Sequence, residues 1–229
     1  MKQLFKSFIL LLMLMVLVSS CEKVGDKPYE DVLYAKVENA SEFSDIVEVK
    51  LMIHVGESIG WVELACGKWK GDGFKIVLPK TIAPNYLNPL ILDGWRKLYT
   101  EESTISVSNP NVEVRDFSFL EGVDKYGNAV ASFKPFEIDE GGNVKDVYYT
   151  YVDSDVTISG YSESVFTVMP DEGYTGPYEW KMTTTYSIEW KKGWNVWWTS
   201  SSWYALEATV TRKYSTNSSS ELNWRGTKY

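Results

Sequence analysis

From Val32 onward, apolar and polar residues alternate with a period of two, while the 3.6-residue period of an amphipathic helix is almost nowhere present. Side chains on a strand point alternately to opposite faces, so this pattern predicts half-buried strands. The first half gives Val32–Val37, Ile46–Val55, Trp61–Cys66 and Phe74–Pro79. In the second of these, Val47, Val49, Leu51, Ile53 and Val55 share one face. The only helical turn the pattern allows is Asn85–Leu92, weakened by Pro89. Ile105 and Val107 mark a further strand. Asn109-Pro110-Asn111 is the best boundary, dividing residues 31–109 from an aromatic-rich region of residues 110–229. The two regions either share one core or each have their own.

The second half continues as a meander. Across Val112–Val123 the apolar phase flips between Val114 and Phe117, and a bulge there would restore one buried face. A turn through Asp124 to Asn128 leads into Ala129–Phe136, followed by Val147–Val152, Val156–Ile158 and Val165–Met169. Tyr178–Trp190 alternates most cleanly: Tyr178, Trp180, Met182, Thr184, Tyr186, Ile188 and Trp190 occupy one face, and Glu, Lys, Thr and Ser the other. A three-residue loop, Lys191-Lys192-Gly193 with Gly193 left-handed, pairs Trp190 with Trp194 and Tyr186 with Trp198, keeping the apolar sets together. The same test makes Ser200-Ser201-Ser202 a second loop that pairs Trp198 with Tyr204. The predicted fold is all-β: an antiparallel β-sandwich, or two packed β-sandwich subdomains.

That register places Trp197 and Trp203 as diagonal neighbours on the polar face, about 7–8 Å apart at the backbone. Two indoles there form a platform for sugar rings, whose axial hydrogens suit a π-surface, unless a second sheet covers them. Glu189, Asn195 and Glu207 form a row across the same face, the two carboxylates about 9.5 Å apart by two strand spacings. This separation is near the upper end for inverting glycosidases. The alternating lysine and threonine neighbours point instead to a solvated face. His54 stands alone and lacks the partners a metal site needs. Asp153-Ser154-Asp155 and Asp124 with Asn128 fit turn chemistry better than a calcium loop. No nucleophile elbow, phosphate-cradling loop or zinc motif is present, and no metal or cofactor is implied.

Composition narrows the classes further. The 229 residues are 44% apolar and 24% charged, enough for a sizeable core. Aromatics reach 15%, with ten Trp, whereas one His and two Cys leave little for metal, thiol or triad chemistry. A net charge of −8 without a basic block argues against nucleic acid as a partner.

The N-terminus reads as an address. Lys2 and Lys6 precede the apolar run Phe8–Val18, too short to span a bilayer and suited to a signal peptide over residues 1–20. Leu17-Val18-Ser19-Ser20-Cys21 resembles the bacterial lipobox. The resemblance implies cleavage before Cys21, acylation of its sulfur and amine, and a tether over residues 21–30 that holds the body at a membrane it does not cross. By similarity to sorting rules, Glu22 at the second mature position implies the outer membrane, facing either the periplasm or the outside. With Cys21 lipidated, Cys66 is expected to be a buried, inert thiol outside any intramolecular disulfide.

Together with the lipobox, the stretches from Val32 to Asn39, Gly73 to Pro79, Tyr148 to Asp153 and Lys191 to Asn195 resemble small lipoproteins common in gut Bacteroidota. The strand ending in Phe74-Lys75-Ile76-Val77-Leu78-Pro79 is also similar to transthyretin-type and Ig-like sandwich modules. No catalytic residues come with either likeness. The expectation is an outer-membrane lipoprotein with a non-enzymatic binding or envelope-structural role, carbohydrate being the first ligand class to test. The alternatives are a glycoside hydrolase using Glu189 and Glu207, and a docking protein for another envelope component.

Overall fold

Alternation of β-branched and aromatic residues with polar ones produces strands almost throughout. The computed structural model describes residues 32–90, 104–117, 119–138, 144–167, 179–204, 209–216 and 222–229. Fifteen strands run in chain order: β1 (Val32–Val37), β2 (Ile46–His54), β3 (Trp61–Lys68), β4 (Gly73–Val77), β5 (Asn88–Pro89), β6 (Ser106–Val107), β7 (Glu113–Asp116), β8 (Phe119–Asp124), β9 (Ala129–Ile138), β10 (Val144–Val152), β11 (Val156–Thr167), β12 (Glu179–Trp190), β13 (Gly193–Tyr204), β14 (Thr209–Thr216) and β15 (Asn223–Lys228). Two short 3-10 turns, Ala40–Glu42 and Pro84–Tyr86, are the only helical elements among the described residues. The fold is all-β, with antiparallel sheets packed together as a sandwich.

One ladder runs β3-β2-β8-β9-β10-β13-β14-β12-β11-β6, with β1, β4, β5, β7 and β15 branching from it. Among the described residues pairing is antiparallel except for β1 with β15 and β12 with β14. Residues Asp31–Tyr229 form one compact unit. Strands on either side of Asn109 pair directly, as β2 does with β8.

Two groups of apolar side chains fill the interior. In the first, Phe133 is fully buried and its ring lies 5.3 Å from Phe43, 5.3 Å from Trp69 and 5.5 Å from Phe74. Glycine makes room for this packing: a Cβ at Gly226 would stand 2.4 Å from the Phe43 ring and 2.8 Å from that of Phe133. The second group gathers Val112, Val152, Ile158, Tyr186, Ile188, Trp190 and Trp197.

Several expectations need correcting. In β2 the buried face runs through Val49, Leu51 and Ile53, but Val47 is 48% exposed and Ile46 is buried. A register shift against β8 between Ile46 and Glu48 reverses the phase at that end. β12 keeps its predicted face, with Trp180, Thr184, Tyr186, Ile188 and Trp190 buried. It does not form a hairpin with β13, because β14 lies between them, parallel to β12 and antiparallel to β13. Ser200 to Ser202 are paired residues inside β13, opposite Lys213 to Thr211, so no turn occurs there. Alternation separates the two faces of a strand; it leaves open which strand is the neighbour and therefore what covers each face.

The phase flip at residues 114–117 is likewise a change of partners: β7 pairs with β5 and β10, and β8 with β2 and β9. Cys66, expected as a buried thiol, is half-buried on β3 and disulfide-bonded. The other cysteine of the sequence, Cys21, lies outside the described residues.

Candidate ligand cleft at a strand junction

β8 and β10 use the same edge of β9. In the β8 ladder Leu120 stands opposite Phe133, and in the β10 ladder Asp146 stands opposite Phe136. Continued inward, the first ladder would bring Phe119 to Lys134 and the second would bring Tyr148 to the same residue. Two strands cannot occupy one edge position, so β10 leaves β9 after Asp146 and is taken up by β7 from Thr150 onward. Pro135, which has no N–H for a ladder bond, sits in the interval.

The junction leaves a cleft of about 500 Å³, within the range of small-ligand sites. Phe117, Phe119, Phe136, Tyr148 and Tyr149 supply aromatic wall, and Ser132, Lys134, Asp146, Arg225 and Thr227 supply polar groups. Successive residues of β10 carry one stacked pair on each side of the strand. The Tyr148 ring, on a residue 39% exposed, lies 4.5 Å from that of Trp197 at 20°, and the Tyr149 ring lies 5.0 Å from that of Phe117 at 21°. Burial raises the Tyr149 phenol pKa to about 12. The Arg225 guanidinium lies 4.9 Å over Phe136 and pairs with Glu38 at 3.0 Å.

Behind the Tyr148 face the wall is held by hydrogen bonds. The Trp197 indole N–H donates to Thr150 Oγ1 at 2.7 Å, and the Thr150 hydroxyl donates to Asp116. Next to it, buried Arg115 donates to the carbonyls of Tyr86 and, at 3.0 Å, His54. The Asn88 amide, oriented to satisfy both its ends, accepts from Arg115 Nη2 at 3.1 Å. Arg115 therefore ties the 84–88 segment and the end of β2 to β7. Burial lowers the Arg115 pKa, against the pull of Asp116. Asp116 keeps one side in solvent, but the protein crowding its carboxyl pushes the pKa up, opposed by the Thr150 hydroxyl and Arg115.

The site residues expected from sequence separate in this structure. Trp197 is 8% exposed, covered by Tyr148 and lying 5.8 Å from Trp190, so it presents no open face and the platform position belongs to Tyr148. The side chain of Trp203 and the whole of Glu207 lie outside the described residues. Glu189 is an exposed β12 carboxylate paired with Lys191 at 3.2 Å. Asn195 is on β13, which is not adjacent to β12, so the expected row across neighbouring strands does not form. Its amide instead braces the bend: Oδ1 accepts from Lys191 N–H, and Nδ2 donates to the carbonyls of Lys191 and Gly193.

The aspartates weighed for calcium hold turns. Asp124 Oδ1 accepts from the N–H groups of Tyr126 and Asn128, Asp153 Oδ1 from Glu113 N–H, and Asp155 Oδ1 from Lys192 N–H. These bonds hold the Asp124 and Asp155 carboxyls below the usual value, with Asn128 the largest cause in the first and Lys192 in the second. His54 lies against Trp61, ring centroids 5.0 Å apart, at the exposed end of β2.

Sequence reasoning missed the lining set, above all Tyr148, Phe117, Phe119 and Arg225. Two signals pointed to it: the phase flip before Phe117 and a proline inside the strand Ala129–Phe136. Comparison with protein-family models, curated proteins and solved structures found no match.

Proposed function

We propose that this chain is a lipid-anchored lipoprotein of the outer membrane whose β body binds carbohydrate without catalysis in the cleft at the β8–β9–β10 junction. The observation that carries the reading is Tyr148, a partly exposed ring held flat on a buried indole at the mouth of a cavity with hydrogen-bonding groups. Such a ring offers a preorganised π-face to the apolar side of a sugar, and Ser132, Lys134, Asp146 and Thr227 offer both donors and acceptors to its hydroxyls. Glu189 is exposed, ion-paired with Lys191 and outside the lining of the cleft, which favours binding over hydrolysis by this residue.

Calorimetric titration of the mature body against defined oligosaccharides tests the binding site. Tyr148→Ala is expected to weaken binding about tenfold, the scale of one lost aromatic contact. Unchanged affinity refutes the cleft as the site. The anchor rests on the lipobox resemblance, and its test is palmitate labelling of the wild type and of Cys21→Ala: label is expected in the first and lost in the second.

A further inference from the structure

We infer that the binding surface continues from the cleft across β8 and β2 to Trp61, forming a track for a linear oligosaccharide; this rests on the carbohydrate reading of the cleft. Strand register puts the aromatic residues on one face. His54 stands opposite Trp61 in the β2–β3 pair, and Met52, two residues from His54, stands opposite Phe119 in the β2–β8 pair. Glu121, two residues past Phe119, stands opposite Ser132 on β9. Ser132 shares its side with Lys134 and Phe136, and Phe136 stands opposite Asp146, two residues before Tyr148. Trp61, Phe119 and Tyr148 thus face the same way.

The rings also connect. Phe119 lines the cleft, and its centroid lies 4.8 Å from that of Trp61 at 61°. The Trp61 ring also lies 5.0 Å from that of His54. Packed against Phe119 and His54, the indole is still 51% exposed and extends the aromatic lining of the cleft outward. β3 and β8 flank β2, so their backbones are two strand spacings, about 10 Å, apart, and the Trp61 and Phe119 side chains reach across β2 into ring contact. The aromatic surface runs from Tyr148 by way of Phe119 to Trp61, across more than one strand, and suits a chain of linked rings better than a single one. Aromatic rings beside polar groups on one sheet face also suit a carbohydrate, which presents apolar ring faces together with hydroxyls.

The test uses the mature chain and, as probes, β-1,4- and α-1,4-linked glucose and mannose oligomers of one to six units, titrated by calorimetry. Affinity is expected to rise with length. Trp61→Ala is expected to weaken the longest ligands about tenfold while leaving the shortest binder unchanged, and Trp61→Phe to recover part of the loss. Tyr148→Ala weakens every length. If affinity does not depend on length, or Trp61→Ala leaves the longest ligand unaffected, the track is wrong and the cleft reading stands. Binding by none of the series overturns the carbohydrate reading itself. Circular dichroism of Trp61→Ala and Trp61→Phe identifies any loss that comes from unfolding, and Trp61→Phe then decides the outcome.

Discussion

Thr150→Val is the sharpest probe of the wall behind the cleft. Thr150 is fully buried, its hydroxyl accepts from the Trp197 indole at 2.7 Å and donates to Asp116, and valine has nearly the same shape. The substitution therefore removes two hydrogen bonds without opening a cavity. An indole N–H left unpaired in a residue 8% exposed costs about 1–3 kcal/mol. Asp116 keeps a side in solvent and regains water, so its loss adds at most about 1 kcal/mol. Together they predict a loss of about 1–4 kcal/mol, a fall in Tm of about 2–16 °C at about 2–4 °C per kcal/mol for a chain of this size. Urea unfolding with an unchanged slope is the assay. Thr150→Ser, which keeps the hydroxyl and loses a methyl, should cost about 1 kcal/mol. Trp197→Phe removes the same donor, so Thr150→Val added to it should cost less than it does alone. A valine variant as stable as the serine one, or strict additivity, refutes the relay.

Gly226→Ala forces a methyl toward the rings of Phe43 and Phe133 and should destabilise by about 1–3 kcal/mol in the same unfolding assay. Asp124 has its pKa lowered by Asn128 and the turn N–H groups, so its contribution is present above the ordinary carboxylate value and is lost as pH falls through the lowered one. The stability gap between wild type and Asp124→Asn should accordingly close at acid pH; a gap independent of pH contradicts this. Glu189→Gln should leave oligosaccharide affinity and stability nearly unchanged, since Glu189 makes a solvated ion pair. A thioether on Cys21 and a disulfide within the chain at Cys66 exclude one another, since the sequence has two cysteines. The anchor therefore predicts that protein extracted from membranes carries acyl mass and is alkylated at Cys66 without reduction. Unacylated protein with Cys66 blocked overturns it.

The strands were legible because period two is imposed locally by the pleat. β1 occupies Val32–Val37 as read, and the wet and dry faces of β12 are those of the sequence pattern. Partners were not legible, because any strand with the right alternation satisfies a neighbour's face equally well. The turn at Lys191-Lys192-Gly193 shows the difference. Gly193 takes a positive φ of 106° as expected, yet the strands it joins are separated by β14, which arrives later in the chain. Asn195, read as one member of a row of ligand-binding groups, makes local bonds to backbone in that bend, and no alternation rule distinguishes the two roles. Trp197 was misplaced for the same reason: its side of β13 is dry because Tyr148 on β10, a partner the pattern could not name, covers it.

The breaks in the pattern were more informative about the site than the pattern itself. A phase flip can be absorbed by a bulge that keeps the same partners, or by a strand that ends and resumes against different ones. Val114 to Phe117 follows the second course, and its counterpart on the other wall is Pro135, where β9 passes from β8 to β10. Each irregularity alone would be unremarkable in a sheet protein. Their coincidence matters because both lie at the position where two ladders compete for one edge, and the strand that yields must leave a gap lined by side chains from both. The cleft is thus a geometric consequence of the strand order, and its aromatic lining follows from Phe117, Phe119, Tyr148 and Tyr149 flanking the break. The same strand order gives its outer rim, through β8 and β2, a continuous face leading to Trp61.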